Sequence, residues 1–183
     1  MNQILIFILQ CVYLILPGIA ANITPVLMRK VPVLETPIDQ GRMYKGKPLF
    51  GKNKTYRGFV FGVLASIVIV EVQGFLFATA LGKELSIINY SAFSPALLGF
   101  LMGFGTLFGD LVKSFFKRRK NIAPGKRFFP WDQLDSLVGG FVFLAPLFIA
   151  PAKVIVFLIF FVPALHVGIN HLGFYVGLKE TKW

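Results

Sequence analysis

The chain has 183 residues, of which 56% are apolar and only 15% are charged. Ordinary soluble domains carry about 25% charged residues, so this composition argues against a water-soluble globule. It also excludes intrinsic disorder, which requires low hydrophobicity and high net charge. With a mean hydropathy of +0.72, the chain is expected to be an integral membrane protein of one domain.

The net charge of +11 comes from 19 Lys and Arg residues against 8 Asp and Glu residues. In a soluble protein such an excess would suggest nucleic acid as the partner. Here the basic residues fall in two segments between apolar stretches, so we expect lipid headgroups or a polyphosphate and no nucleic acid. The single cysteine, Cys11, lies in the first apolar stretch and excludes a disulfide framework within the chain.

Five apolar stretches are candidate membrane spans when compared with the about 20 residues that a helix needs to cross a bilayer. They cover residues 4–21, 58–81, 95–112, 135–150 and 152–178. The fourth is short for a complete crossing, and it contains Pro146. Continuous apolar runs, unlike the alternating pattern of membrane strands, predict helices. We therefore predict an all-α, multi-pass membrane protein, with residues 1–183 forming a single transmembrane domain.

The basic residues also predict how the chain is oriented in the cell membrane. Residues 22–57 contain eight Lys and Arg, residues 113–134 contain seven, and the C-terminal tail contains two more. The opposite side would carry only Lys83 and Lys153. Positive residues accumulate in cytoplasmic loops, so we expect both long loops and the C-terminus inside and the N-terminus outside. The first long loop contains four prolines, which favour an extended, partly membrane-associated segment.

A polar helix face is predicted where the third span continues beyond residue 109. Asp110, Lys113, Ser114, Lys117 and Arg118 are spaced to lie on one side of such a helix. Lys and Arg at the end of a span are common, because their side chains reach the headgroup region. A carboxylate at this depth is costly unless it is paired or binds a metal, so Asp110 is a candidate functional residue.

Two further acids, Asp132 and Asp135, stand at the beginning of the fourth span with i, i+3 spacing. This spacing places them on the same side of a helix. Asp132 could simply cap that helix, an explanation that fits one acid better than two. Together with Asp110 the two acids could bind one or two divalent ions, and oxygen ligands suit Mg²⁺. Two metals about 3.5–4 Å apart are a known arrangement for phosphoryl displacement.

A glycine-bounded basic turn, Gly51-Lys52-Asn53-Lys54-Thr55-Tyr56-Arg57-Gly58, directly precedes the second span. Its backbone N–H groups, together with Lys54 and Arg57, could hold phosphate oxygens. It is not a Walker A loop, because the required spacing of glycine, lysine and hydroxyl is absent. Taken alone, a basic flank of this kind could be only an orientation signal.

Two motifs carry a resemblance to a known family. The pattern G-D-x-x-K-S-x-x-K-R-R over residues 109–119, followed by P-x-D-x-x-D-S over residues 130–136, resembles the signature of membrane cytidylyltransferases that make CDP-activated lipids. The span pattern, Asn22 with Pro25, Pro37-Ile38-Asp39 and residues 51–58 resemble the CDP-archaeol synthase branch. The longer CDP-diacylglycerol synthases usually have His-Gly-Gly before the last acidic motif, and that sequence is missing here. The resemblance covers nearly the whole chain.

The resemblance implies that CTP reacts with a lipid phosphate, 2,3-bis-O-geranylgeranyl-sn-glycerol 1-phosphate, to give a CDP-activated ether lipid and pyrophosphate. The nucleophile is already an anionic phosphate oxygen, so the reaction needs charge neutralisation and positioning rather than a strong base. We expect Asp110, Asp132 and Asp135 to hold Mg²⁺, and Lys113 and Lys117 to act with them in catalysis. The other residues expected to contact the substrates are Lys54, Arg57, Ser114, Arg118, Asn22 and Asp39, of which the last two could instead order the loop.

Two alternatives stay open on the sequence. The acceptor could be an ester phosphatidate, as for the CDP-diacylglycerol synthases, or the protein could be a non-catalytic lipid-binding or transport protein. A transport protein would need polar residues threading the membrane, and the spans offer few of them. The CDP-alcohol phosphotransferases are not favoured, because their D-G-x-x-A-R motif is missing. The lipid tails are expected to stay in the bilayer, within a groove between spans.

Overall fold

The computed structural model describes residues 2–123 and 126–175, and this part of the chain is mostly helical. Its α-helices are α1 (Gln3–Leu27), α2 (Tyr56–Leu76), α3 (Ala80–Leu85), α4 (Pro95–Arg119), α5 (Trp131–Leu144) and α6 (Ala152–Tyr175). A 3-10 helix, Met28–Lys30, extends α1. Strands β1 (Met43–Tyr44) and β2 (Lys47–Pro48) form an antiparallel hairpin in the first long loop, which the all-α prediction does not include.

Three stretches in the described part of the chain are long and apolar enough to cross a bilayer, namely Gln3–Lys30, α2 and α4. Helix α5 has only 14 residues, which extend about 21 Å against a hydrocarbon core of roughly 30 Å. Helix α6 has 24 residues and is apolar over Ala152–Leu165. The protein is thus a membrane protein with several apolar helices, while the count of five spans stays a prediction. The predicted end of the fifth span, residue 178, and the C-terminal tail lie outside the described residues.

The helices differ from the predicted spans at their ends, for local reasons. Helix α1 continues to Leu27 and includes Asn22, which the sequence pattern places in the first long loop. Helix α2 ends at Leu76 rather than near residue 81, because the side chain of Thr79 accepts a hydrogen bond from the N–H of Gly82 at 3.0 Å and begins α3. Helix α4 continues through Arg119, as predicted, and carries its polar face beyond residue 109.

Helix α4 packs between α2 and α5, and glycines allow both contacts. A Cβ atom on Gly103 would lie 2.6 Å from the Cβ of Ser66 on α2. On the other side, a Cβ on Gly105 would lie 2.5 Å from the carbonyl oxygen of Gly139 on α5, and one on Gly109 would overlap the carbonyl of Asp135. Small residues spaced four apart let membrane helices approach this closely.

The apolar core lies toward the end of the bundle away from the two long loops. It contains the fully or nearly fully buried side chains of Cys11, Leu14, Val70, Leu98, Leu144 and Leu158, contributed by α1, α2, α4, α5 and α6. Packing of these residues fixes the helices relative to one another. The polar ends of α4 and α5 are thereby held side by side.

Candidate active site

The three predicted acidic residues lie together where α4 and α5 approach each other. Asp110 projects from α4, and Asp132 and Asp135 project from the first part of α5. The exposed fraction of these side chains is 18%, 17% and 6%, so all three are largely buried. The close contact of Gly109 with the backbone of Asp135 sets the spacing of the two helices at this level.

Lys113 lies between the three carboxylates. Its Nζ is 2.9 Å from Asp110 Oδ1, 2.9 Å from Asp135 Oδ2 and 3.5 Å from Asp132 Oδ1. Because the same nitrogen lies near all three oxygens, the distance between any two of these oxygens cannot exceed the sum of their distances to the nitrogen. We call these four residues the aspartate cluster. The three carboxylates thus share one ammonium group as their common neighbour.

Two more lysines pair with the aspartate cluster from either side. Lys54, in the basic turn before α2, forms an ion pair and hydrogen bond with Asp110 Oδ2. Lys117, one turn beyond Lys113 on α4, places its Nζ 3.0 Å and 3.2 Å from the two carboxylate oxygens of Asp132. The structure therefore brings both long loops to the same group of charges.

Asp132 also forms a hydrogen bond with the segment that precedes α5. Its Oδ2 accepts a hydrogen bond from the backbone N–H of Phe128 at 2.6 Å. The N-cap position of α5 is occupied by Pro130, and no side chain caps the helix there. Asp132 is thus not the simple N-cap that the sequence left open as an explanation.

Asp39 orders the first long loop. Its carboxylate accepts hydrogen bonds from the backbone N–H groups of Gly41 at 3.1 Å, Phe50 at 3.0 Å and Gly51 at 2.8 Å. Burial alone would raise the pKa of this carboxyl group, but the N–H donors outweigh burial and hold the pKa below its ordinary value. Of the two roles left open by the sequence, these contacts correspond to ordering the loop.

The hairpin in the same loop is attached to the end of α4. Arg119 donates hydrogen bonds to the carbonyl oxygens of Tyr44 at 2.7 Å and Lys47 at 3.0 Å, and Lys47 Nζ donates to the carbonyl of Arg119 at 3.0 Å. The turn needs a left-handed backbone at Lys45 and Gly46, with φ of 51° and 72°. Sequence reasoning missed this hairpin, for which a lysine-glycine pair is a weak signal.

Arg57 makes its described contacts with the first loop rather than with the aspartate cluster. Its guanidinium donates to the carbonyl oxygen of Val31 and lies 3.2 Å from Glu35 Oε1. Only 8% of the residue is exposed. These contacts hold the loop against the start of α2, and binding of a substrate by Arg57 stays a prediction.

A polar cleft opens beside the aspartate cluster, between the first loop and α4. Its lining combines backbone of the basic turn with four cations and one hydroxyl, from Phe50, Gly51, Asn53, Lys54, Lys113, Ser114, Lys117 and Arg118. A wider depression shares Gly51 and Arg118 with the cleft and is also bordered by Lys52. Cations and backbone N–H groups in this arrangement can neutralise a polyphosphate. Asn22 is not part of the cleft; it is exposed on α1 beside an apolar groove.

The chemistry of the aspartate cluster suits a hard divalent ion, although the ligands are not yet gathered around one point. Asp135 Oδ2 is buried and accepts no well-directed hydrogen bond from the part of the chain that the structure describes, where its polar neighbour is the Lys113 ammonium at 2.9 Å. A buried carboxylate oxygen with so few partners is costly, and a divalent ion would satisfy it. Among the described residues no three acidic, histidine or cysteine side chains already form a set of metal ligands. The Lys113 ammonium, which lies between the carboxylates, would have to move.

Comparison with known proteins connects this site to a family. The family model described as CarS-like, CDP-archaeol synthase, matches residues 4–183. The CDP-archaeol synthase of Thermococcus onnurineus is 37% identical over 180 residues, covering 96% of this chain and 97% of that protein. The CDP-archaeol synthase of Archaeoglobus fulgidus is 36% identical, covering 96% of this chain and 98% of that protein.

A solved structure agrees with these relatives. It belongs to a study of an intramembrane enzyme for archaeal membrane lipids biosynthesis, and it matches this fold with a TM-score of 0.65 at 28% identity. The match covers 87% of this chain and 91% of that chain. The family resemblance carried by the sequence motifs is therefore confirmed, and the chain belongs to the CDP-archaeol synthase family.

Proposed function

We propose that the protein is a nucleotidyltransferase that transfers the cytidylyl group of CTP to an isoprenoid glycerol phosphate in the membrane. An oxygen of the lipid phosphate bonds to the α-phosphorus of CTP. The bond from that phosphorus to the oxygen bridging to the β-phosphate breaks, and pyrophosphate leaves. The products are pyrophosphate and a CDP-activated ether lipid. Family membership supports the substrate classes, and the aspartate cluster beside a basic cleft is the observation that supports the chemistry.

Asp110, Asp132 and Asp135 are the residues that would hold Mg²⁺. When bound, the ion neutralises charge on the CTP phosphates and makes the α-phosphorus more electrophilic. The three side chains come from two helices whose backbones touch at Gly109, so the helices keep them near one another, and only the side chains have to turn toward an ion. Holding the two helices together in this way lowers the cost of assembling the reacting groups.

Lysines of the cleft take the charge of the leaving pyrophosphate. Lys54, Lys113 and Lys117 each pair with a carboxylate of the cluster and also line the cleft, so a short rotation of each side chain reaches a phosphate. Ser114 offers a hydroxyl at the same wall. Arg118 Nε is buried and has no hydrogen-bond partner among the described residues, which supports a role in binding a phosphate oxygen.

The chain needs no Ser, Cys or His nucleophile for this reaction, because the attacking oxygen comes from the lipid phosphate itself. Two anions must instead meet in line, and their repulsion is the main barrier that the cations remove. We further propose that both long loops face the cytoplasm, in keeping with the distribution of basic residues. The lipid acceptor then reaches the cleft from the inner leaflet.

The test uses the purified full-length protein in lipid vesicles with labelled CTP and Mg²⁺. One sample receives an isoprenoid ether glycerol phosphate, a second receives ester phosphatidate, and a third receives no acceptor. We expect CDP-lipid and an equal amount of pyrophosphate with the ether lipid, arrest by EDTA, and recovery when Mg²⁺ is added back. Faster reaction with the ester lipid would assign a CDP-diacylglycerol synthase. Failure with every acceptor would leave a non-catalytic lipid-binding protein.

A further inference from the structure

An apolar groove is bordered by α1, α4, α5 and α6 and carries polar groups at one end. Leu14, Leu144 and Val162 line one part of it, and Asn22 and Ser136 line another. The polar cleft that holds the lysines has a separate lining. The groove therefore offers a second binding surface, of opposite chemistry, in the same bundle.

Glycines on α1 and α5 show how these two helices are aligned along the groove. A Cβ on Gly18 of α1 would lie 3.0 Å from Thr106 Oγ1, and one on Gly140 of α5 would lie 3.2 Å from the same atom. Gly18 stands midway between Leu14 and Asn22, and Gly140 stands midway between Ser136 and Leu144. Leu14 and Leu144 therefore lie at the same end of the groove, and Asn22 and Ser136 lie at the other end. Each of the two segments, residues 14–22 and 136–144, is about 12 Å long.

The polar end of the groove lies directly beneath the aspartate cluster. Thr106 is one helical turn before Asp110 on α4, and Ser136 follows Asp135 on α5. The hydroxyl of Ser136 is 3.5 Å from Asp135 Oδ1. A molecule with a chain in the groove would thus present its head to the cluster.

Asn22 supplies a separate indication of a ligand. It is exposed on α1, within the stretch that is apolar enough to cross a bilayer. Asn22 borders the apolar groove, and a polar amide covered by an apolar ligand is costly unless it is hydrogen-bonded. An oxygen-containing group at the head of a bound lipid would satisfy it.

We infer that this groove holds one hydrocarbon chain of the lipid phosphate acceptor, with Asn22 and Ser136 contacting the glycerol oxygens. This inference rests on the proposed function and adds where the lipid acceptor binds. Charge favours this occupant over an ordinary bilayer lipid, because a terminal phosphate monoester carries up to two negative charges and is attracted more strongly by Lys113 and its neighbouring cations than a phosphodiester with one. A chain seated here fixes the direction from which the lipid phosphate approaches CTP.

The experiment uses the full-length protein in vesicles and a photoactivatable isoprenoid glycerol phosphate, with its diazirine on the chain. Leu137 lines the groove, whereas its neighbour Val138 on α5 is 53% exposed on another side of the helix. We compare Leu137→Trp with the matched control Val138→Trp, and Asn22→Ala with Ile23→Ala, whose residue is 46% exposed. Asn22→Ala changes an exposed side chain, so it tests the inference even if Leu137→Trp fails to fold.

We expect cross-links in residues 14–22 and 136–144 of the wild-type protein. Leu137→Trp should reduce cross-linking and raise the KM for the lipid phosphate about tenfold, with the KM for CTP unchanged. Asn22→Ala should raise the lipid KM in the same selective way, and both controls should match the wild type. Cross-links elsewhere, equal effects of each variant and its control, or equal labelling by the same probe without its phosphate would overturn the inference. Failure of the wild type to form CDP-lipid would instead refute the proposed function.

Discussion

Lys54, Lys113 and Lys117 pair with Asp110, Asp132 and Asp135, and the charges of these two sets balance without any ligand. The balance allows six ionised groups to sit close together at the end of a membrane helix. Arrival of Mg²⁺ with CTP would exchange partners, so that the carboxylates face the metal and the lysines face phosphates. The same six side chains can therefore stabilise the resting protein and the reacting complex.

Loss of one carboxylate charge should stop the reaction. Asp110→Asn and Asp135→Asn keep the size of the side chain but remove a negative oxygen ligand. We expect CDP-lipid formation to fall more than about a hundredfold in each variant, with unchanged elution of the purified protein in size-exclusion chromatography. Glu84→Gln, which changes an exposed acid on α3, is the matched control and should keep full activity. Near-normal turnover in either aspartate variant would remove the metal site from the mechanism.

Removal of the central ammonium should have opposite effects on metal binding and on turnover. In Lys113→Met the carboxylates lose the cation that lies between them, so a divalent ion no longer competes with it. We expect Mn²⁺ to bind about tenfold more tightly in the absence of CTP, measured by electron paramagnetic resonance of free Mn²⁺. Turnover should nevertheless fall, because a phosphate loses its cation.

Lys83→Met provides the control, since Lys83 is exposed on α3. It should change neither Mn²⁺ binding nor turnover. Weaker Mn²⁺ binding by Lys113→Met would show that the ammonium does not occupy the place of the metal.

At the scale of elements, the contact between α4 and α5 decides the geometry of the site. A Cβ atom on Gly109 would overlap the backbone of Asp135, so Gly109→Ala must push the two helices apart. We expect a loss of about 1–3 kcal/mol in unfolding free energy and a larger fall in turnover than in CTP binding. Thermal unfolding and steady-state kinetics measure the two effects. Gly168→Ala on α6 meets no atom within 4 Å among the described residues and should keep the unfolding free energy or raise it slightly. An equal loss in the two variants would contradict the packing explanation.

The folded conformation of the entire first long loop depends on the carboxylate of Asp39. Its folded pKa is depressed, so its carboxylate stabilises the loop above the ordinary carboxyl pKa of about 3.9, and this stability is lost as pH falls through the folded value. Asp39→Asn cannot accept all three N–H bonds at any pH. In limited proteolysis at pH 7, we expect the protease to cleave the first loop of the variant faster than that of the wild type. The difference between the two cleavage rates should shrink in strong acid. A pH-independent difference would exclude the charge of Asp39 as the cause.

The sequence predicted the elements of the site better than it predicted how they meet. Helical spacing was enough to place Asp110, Lys113 and Lys117 on one face, because that periodicity is local. It could not show that Gly109 contacts α5, because a glycine pattern does not reveal which helix it faces. Nor could it separate Arg57, held by Val31 and Glu35, from Lys54, which reaches the cluster, since both stand in one basic turn.

At the scale of the whole molecule, the charged site and the apolar core lie at opposite ends of the helix bundle. Lys54, Lys113 and Lys117 pair with the carboxylates at the end of the bundle that carries the two long loops, while the opposite end carries the buried apolar core. An acceptor lipid and a soluble nucleotide must approach this cluster from different phases. The apolar groove reaches Ser136, the neighbour of Asp135, and the polar cleft reaches the three lysines that pair with the carboxylates, so the two surfaces approach the cluster from different sides.

Orientation in the membrane can be measured directly, because the only cysteine in the sequence, Cys11, is fully buried. The parent protein should resist a membrane-impermeant maleimide and serve as the control. Arg42→Cys places a thiol in the exposed first loop, and Lys83→Cys places one on α3, beyond α2. Since positive residues stay in the cytoplasm, we expect intact cells to be labelled at position 83, and at position 42 only after permeabilisation. Labelling of both thiols from outside would mean that α2 does not cross the bilayer, and the reverse pattern would place the aspartate cluster on the outer face.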